Sequence, residues 1–257
     1  MFTRVDHINE EGFIILYKAK LVESCVVRAT DGELGKVKDL YFDSEKWVIR
    51  YFVIDTLKWL PGQKVLVSPS SFDSVDLVDN KISVLATKEQ IENSPSIEEH
   101  QPLSRQKETE LHSYYGWAPY WIGSGLWGMS NVPSIAEQQR ELQNDREPDD
   151  ETDAALRSIN EIKGQITGYN VMGTDKKIGH VVDFVIDDHS WAIHSLIVDT
   201  GSWLPGRKVA LATESIESID WVSKEIITNL TSNDVEKNSS TNDSISELDG
   251  IPIDRFK

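Results

Sequence analysis

The chain carries one cysteine, Cys25, in 257 residues, so no disulfide can form within it and a cysteine-built metal site is excluded. Positive charge is scarce: 26 Lys and Arg stand against 43 Asp and Glu, a formal net charge of −17. That balance repels phosphate backbones and anionic headgroups at long range, so nucleic acid is not an expected partner and a membrane would be met only peripherally. Long apolar runs are missing, since FIIL at 13–16 is far short of the roughly 20 residues that cross a bilayer as a helix. The opening MFTRVDHINE has neither the basic start nor the apolar centre of a secretory signal, which makes a cytoplasmic chain the expectation. The N-x-S/T triplets at Asn229, Asn238 and Asn242 then have no secretory context.

What the sequence does contain is a duplication. DTLKWLPGQKV at 55–65 returns as DTGSWLPGRKV at 199–209, an offset of 144 residues from Asp55 to Asp199. The same offset aligns TDGELGKVKDLYFDSEKWVIRYFVIDT at 30–56 with TDKKIGHVVDFVIDDHSWAIHSLIVDT at 174–200 without a gap. Solenoid units repeat every 20 to 50 residues or so, so these are two whole domains and not turns of a stack.

Each copy is patterned as strands. Thr-Asp-Gly at 30–32 and Thr-Asp-Lys at 174–176 are turn formers that lead into apolar-rich segments ending at Asp43 and Asp187. DSEKW and DDHSW then make short hairpin connections into VIRYFVID and AIHSLIVD. Phe52-Val53-Ile54 is apolar on both faces, so one face fills a barrel and something else must cover the other. Beyond the WLPG loop come KVLVS or KVALA, a short irregular piece (SSFDSVD or ESIESID), and a last strand around KISVL or EIITN. TKEQ at 87–90 has the capping-box pattern of a short helix before Pro95. Five or six short strands in each copy fit a small closed barrel, which removes exposed sheet edges.

The pattern D-G-x-x-G-K-V-x-D-L-x-F-D, a hairpin, then V-x-D-T, as it stands in Asp31 to Thr56, resembles the PRC-barrel. This is the small β-barrel of the cytoplasmic domain of the photosynthetic reaction-centre H subunit and of the C-terminal part of a ribosome maturation factor. The second copy has Lys176 in place of the turn glycine but keeps Gly179, Asp183 and Asp187. The paired WLPG loops and the words TKEQIENSP and SRQKETELHSYYGWAPYW are similar to a group of bacterial two-copy PRC-barrel proteins. The resemblance implies a mainly-β chain of two PRC-type barrels in tandem, with a short helix after at least the first and a partly irregular linker. It also implies an accessory module rather than an enzyme. The expected division is an N-terminal segment 1–19, barrels at 20–93 and 158–236, a linker 94–157 and a flexible acidic tail 237–257.

The linker concentrates rings: Tyr114, Tyr115, Trp117, Tyr120, Trp121 and Trp127, six of the chain's 22 aromatic residues, fall within 14 positions. They either dock over a barrel and cover its doubly apolar strands, or form an exposed patch for a partner protein or membrane interface, or line a ligand pocket. As the candidate interaction surface they are the most informative residues of the chain. SIAEQQREL at 134–142 reads as a capped helix, and NDREPDDETD as a solvated acidic run. IPIDRF at the end has enough apolar character to dock somewhere.

Chemistry is harder to find. No glycine-rich phosphate loop, nucleophile elbow or CxxC occurs. Among the six histidines, His189 and His194 fall in a turn and a strand, and the first copy has Glu45 and Arg50 there, so no metal box is expected. Cys25 corresponds to Tyr169 and reads as a packed small hydrophobe. Asp39 and Asp183 sit among larger strand residues and call for backbone partners. In the repeated loop, Asp55, Trp59, Pro61 and Gly62 match Asp199, Trp203, Pro205 and Gly206: Asp-Thr ends a strand, Trp-Leu supplies an apolar plug and Pro-Gly turns the chain. We therefore expect no catalytic residue, no metal and no cofactor. The reading is a scaffold that binds another protein, with the two barrels pairing within the chain or between copies. The alternatives are a small-ligand-binding protein or enzyme with its site at the barrel junction, and a peripheral membrane-associated accessory protein.

Overall fold

The structure, a computed structural model, describes residues 15–56, 60, 64–95, 102–133, 156–164, 166–204, 207–239 and 253–254. Trp59, Pro61, Gly62, Pro205, Gly206, the SIAEQQREL segment, the acidic run and all but two residues of 240–257 lie outside the described residues. In chain order the elements are β1 (Ile15–Lys18), α1 (Ala19–Val22), β2 (Val26–Ala29), β3 (Gly32–Asp43), β4 (Val48–Asp55), β5 (Lys64–Val67), β6 (Phe72–Asp76), β7 (Lys81–Val84), α2 (Lys88–Glu92), α3 (Arg105–Tyr115) and β8 (Arg157–Ser158). They continue as α4 (Ile159–Lys163), β9 (Asn170–Met172), β10 (Lys177–Asp187), β11 (Ile193–Asp199), β12 (Lys208–Ala212), β13 (Ile216–Asp220), β14 (Glu225–Thr228), α5 (Ser232–Ser239) and β15 (Ile253–Asp254).

The chain is mainly β and forms two compact units, one of Val22–Ser158 with Asp188–Ala192, the other of Phe13–Leu21, Ile159–Asp187 and Ile193–Lys257. The first sheet runs β5-β4-β3-β2-β7-β6 with β8 added on β3. The second runs β12-β11-β10-β9-β14-β13, with β1 on β10 and β15 on β1. The duplication is kept in register: Val37 faces Ile54 as Val181 faces Val198, and Asp55 faces Lys64 as Asp199 faces Lys208. Both long strands slip register at the same place, between Val37 and Asp39 and between Val181 and Asp183.

Two details depart from the strand reading. FDSVD and IESID, expected to be irregular, are β6 and β13, paired antiparallel with β7 and β14. Their residues are half-buried or exposed, so they carry little of the apolar alternation that marks a strand. The ladder expected to close also ends on β5 and β6, which no pairing joins among the described residues. The turn between them, Pro69–Ser71, is a 3-10 helix whose proline has no N–H to donate. The capping box is formed as expected, with Thr87 accepting from Gln90 N and Gln90 Oε1 accepting from Thr87 N.

The leader of each copy belongs to the unit of the other. LYKA at 16–19 matches LRSI at 156–159 in position: Leu16, Tyr17 and Lys18 pair with Asp187, Ile186 and Val185, while Arg157 and Ser158 pair with Phe42 and Tyr41. The two strand aspartates receive these leaders. Asp183 Oδ1 accepts from Lys20 N at 3.3 Å and from Phe184 N at 2.9 Å, and Asp39 accepts from Leu40 N at 2.8 Å and from Ser158 Oγ. Burial first, opposed by Lys163 and by these N–H donors, leaves the Asp183 carboxyl raised above its ordinary range. The repeat extends further than the strands: PLSR at 102–105 recurs as PIDR at 252–255, and Leu103 bridges Leu156 as Ile253 pairs with Leu16.

Candidate functional site

The doubly apolar strand β4 is covered in its own unit by the linker. Tyr41, Tyr51, Val53 and Leu66 pack with Leu103, Leu111 and Leu156, and Tyr115 and Trp117 lie against them. The covering helix α3 starts at Ser104, whose hydroxyl accepts from Lys107 N, and ends at Gly116, whose left-handed φ of 70° suits a residue without Cβ. Its buried residues are Glu108, Leu111 and His112, one stripe in which only the leucine is apolar. A helix that buries a carboxylate and an imidazole needs partners for both.

Those partners converge from three elements. Glu108 Oε2 accepts from Arg105 Nη1 at 2.8 Å, and Oε1 accepts from Tyr120 Oη at 2.5 Å and from Tyr51 Oη at 3.2 Å. Tyr51 Oη stands 2.8 Å from His112 Nε2, and Arg105 Nη1 also reaches Tyr120 Oη at 3.1 Å. Beside them Arg50, 0% exposed, binds Asp43 Oδ2 at 2.9 Å through Nη2 and donates from Nη1 to the Leu126 carbonyl. Its guanidinium carbon lies 3.8 Å from the Tyr120 ring centre and 5.0 Å from that of Trp127. Arg105 stacks likewise on Trp121 at 4.4 Å. The fully buried Arg50 contacts are of the desolvated kind, which contributes about 2 kcal/mol each.

Burial sets the protonation of the cluster. It pushes the Glu108 carboxyl up to about 7, against the pull of Arg105, the two tyrosine hydroxyls and Arg50. It pushes the His112 imidazole down to about 4, with the Trp117 and Ala118 backbone opposing and the two arginines adding to the effect. Tyr51 and Tyr120 are held protonated well above 10, again by burial first and then by the Glu108 charge. For Arg105 burial works against the cation, yet Tyr120 and Glu108 hold its proton more firmly than usual. The arrangement can share protons among a carboxyl, two phenols and an imidazole. Glu108 and Tyr51 are 0%, Tyr120 3% and His112 5% exposed, so these groups are enclosed within the unit.

The candidate aromatic residues therefore divide. Tyr120 and Trp127 are buried; Tyr115, Trp117 and Trp121 are half-buried; Tyr114 is exposed and donates to the Gln90 carbonyl at 2.8 Å. Trp127 Nε1 donates to the Ser190 carbonyl at 2.7 Å, within the same unit. Trp191 from the same short stretch packs edge-on against Phe52 and Phe72, with ring centres 4.8 Å and 5.7 Å apart. In the repeated loop the described parts behave alike. Thr56 Oγ1 donates to the Leu60 carbonyl and Thr200 Oγ1 to that of Leu204, while Asp199 Oδ1 accepts from Gly201 N. Trp203 Nε1 donates to the Ile178 carbonyl and its ring faces Lys176 Nζ at 4.6 Å. Cys25 is buried, and burial followed by the Asp76 charge pushes its thiol up to about 12. Among the described residues no group of three His, Cys, Asp or Glu could hold a metal ion, and no helix is long and apolar enough to cross a membrane.

The family model of the PRC-barrel domain matches residues 15–91 and 164–234, more than half of the chain. The chain belongs to the PRC-barrel family. No curated protein matches it. The two PRC-barrel matches cover Asp43, Arg50 and Tyr51 but neither α3 nor the aromatic segment, so the cluster joins a family strand to a linker outside the family fold. The second PRC-barrel copy has Asp187, His194 and Ser195 at those three places. There His194 Nε2 lies 2.9 Å from Asp187 Oδ2 and its side chain is 39% exposed. The cluster is thus a specialisation of copy one. Sequence reasoning singled out the rings and missed Arg50, Arg105, Glu108 and His112. The available signal was the spacing of Glu108, Leu111, His112 and Tyr115, which share one helix face.

Proposed function

We propose that this PRC-barrel protein is a non-catalytic scaffold that binds another protein, with the outer side of the linker segment 114–131 as part of its contact surface. The observation that carries the reading is the inward placement of every acid–base group of the cluster. Glu108, His112, Tyr51 and Tyr120 bond to one another and hold a chain segment in place, whereas a catalytic group must reach a substrate. Tyr114 at 41% and Met129 at 67% exposure stand on the outer side of that segment, where an apolar contact can form. The net charge of −17 favours a protein over a nucleic acid as the partner and a cytoplasmic setting over a membrane surface.

A second reading, an enzyme or ligand-binding protein, is favoured by one observation, the convergence of four titratable side chains around Glu108. Cross-linking in native cells followed by mass spectrometry separates the two. The scaffold reading expects a protein cross-linked near 114–131 whose capture falls with Tyr114→Ala/Met129→Glu. Absence of any partner dependent on that exposed pair would overturn it.

A further inference from the structure

We propose that Glu108 and His112 act as one proton-compensated pair that keeps residues 102–131 docked across a pH range in which either residue alone would make docking pH-sensitive. The inference rests on the docking geometry and is independent of the scaffold reading. Both residues lie on the buried face of α3, one turn apart, and Tyr51 Oη touches both, at 3.2 Å from Glu108 Oε1 and 2.8 Å from His112 Nε2. The charged and titratable groups that face them are Arg105 on the same helix, Arg50 and Tyr51 on β4, and Tyr120 on the segment beyond the helix. Asp43 on β3 compensates Arg50.

In water near pH 5 to 6 a glutamate is ionised and a histidine is largely protonated. Burial disfavours both charges, so docking adds a proton to Glu108 and removes one from His112. The carboxyl, raised from 4.5 to about 7, stabilises docking fully below 4.5 and loses that contribution as pH rises through 7. The imidazole, lowered from 6.5 to about 4, contributes fully above 6.5 and loses its contribution as pH falls through 4. Between about 4.5 and 6.5 the gain and the loss cancel. From pH 8 to pH 5 the carboxyl alone would tighten docking about 70-fold and the imidazole alone would loosen it about 30-fold, leaving about a twofold change for the pair.

The proton path is short. With Tyr51 donating to Glu108, an imidazole protonated at Nε2 donates to the phenol oxygen and Nδ1 carries no proton; Nδ1 is buried without a hydrogen bond. If the carboxyl holds the proton, it can donate to the Tyr51 oxygen while Tyr51 donates to Nε2, and the imidazole proton then sits on Nδ1, towards the Trp117 and Ala118 backbone. A neutral imidazole thus has a partner at Nε2 in either direction through one phenol, while Nδ1 stays unpaired.

Hydrogen exchange of the 105–130 amides in the full chain, corrected for the intrinsic rate at each pH, measures docking between pH 5 and 8. The wild-type opening constant is expected to vary by less than about threefold. That of Glu108→Gln should rise about 30-fold at pH 5 relative to pH 8, and that of His112→Gln should fall about 70-fold. Carbon-13 NMR titration of the wild-type protein tests the pair without substitution, with a glutamate carboxyl expected near 7 and a histidine near 4. Flat profiles in both variants, or Glu108 titrating near 4.5 and His112 near 6.5 in the folded protein, would overturn the proposal.

Discussion

Replacing Arg50 by methionine removes the cation that Asp43 pairs with while keeping an apolar stem of similar length. The Arg50 side chain is fully buried and that of Asp43 is 12% exposed, so the aspartate would remain almost dry and charged. Breaking a buried pair from one side costs about 3–5 kcal/mol. The Glu45 and Lys46 N–H groups still donate to Asp43 Oδ1, at 3.0 Å and 3.1 Å, which points to the lower end, about 3 kcal/mol. Loss of the contacts to Tyr120 and Trp127 adds to it. At roughly 3 °C per kcal/mol for a unit of this size, the melting temperature of the first unit should fall by about 10 °C in calorimetry of the full chain. Arg50→Met/Asp43→Asn should recover part of the loss, because no uncompensated charge is left. A shift under about 2 °C for Arg50→Met would refute the reasoning.

Two further substitutions probe the fold. Trp191→Ala should destabilise the first unit by about 3–5 kcal/mol although the residue lies in the second sequence copy, and hydrogen exchange should show β4 losing protection before β11 does. Equal loss in both strands would contradict this. Gly35→Ala and Gly179→Ala would place a Cβ 1.9 Å from the Asp55 carbonyl oxygen and 2.1 Å from that of Asp199, so each should cost more than about 3 kcal/mol in chemical denaturation; a cost under about 1 kcal/mol would contradict the close approach.

The duplicated architecture was legible because it rests on local chemistry repeated at a fixed offset. Turn formers at 30–32, the hairpins at 43–47 and 187–191, and the capping box at Thr87 all act within a few residues, and the structure forms each of them. β6 and β13 were less legible because half-buried strands leave little alternation. The covering of β4 was foreseeable as a need, since Tyr51 and Val53 lie on the face opposite the barrel interior, and the rings at 114–127 were one of the answers offered. The polar cluster was not foreseeable. Glu108 and His112 look like solvated residues on a helix of low apolar content, and only their distances to Tyr51, Tyr120 and Arg105 show them to be buried.

Sequence was therefore sufficient for the number of copies, the hairpins within each and the Asp-Thr closure of the repeated loop. Turn chemistry and period-two patterning act through near neighbours and need no knowledge of the rest of the chain. Tertiary structure alone decided that the leader of each copy joins the unit of the other, that Trp191 fills the first unit's core, and that a carboxyl and an imidazole sit side by side in the dry. These outcomes depend on which surfaces remain to be buried once the sheets have formed, and desolvation, which sets the protonation of Glu108 and His112, is a property of the packed surroundings and not of the residue.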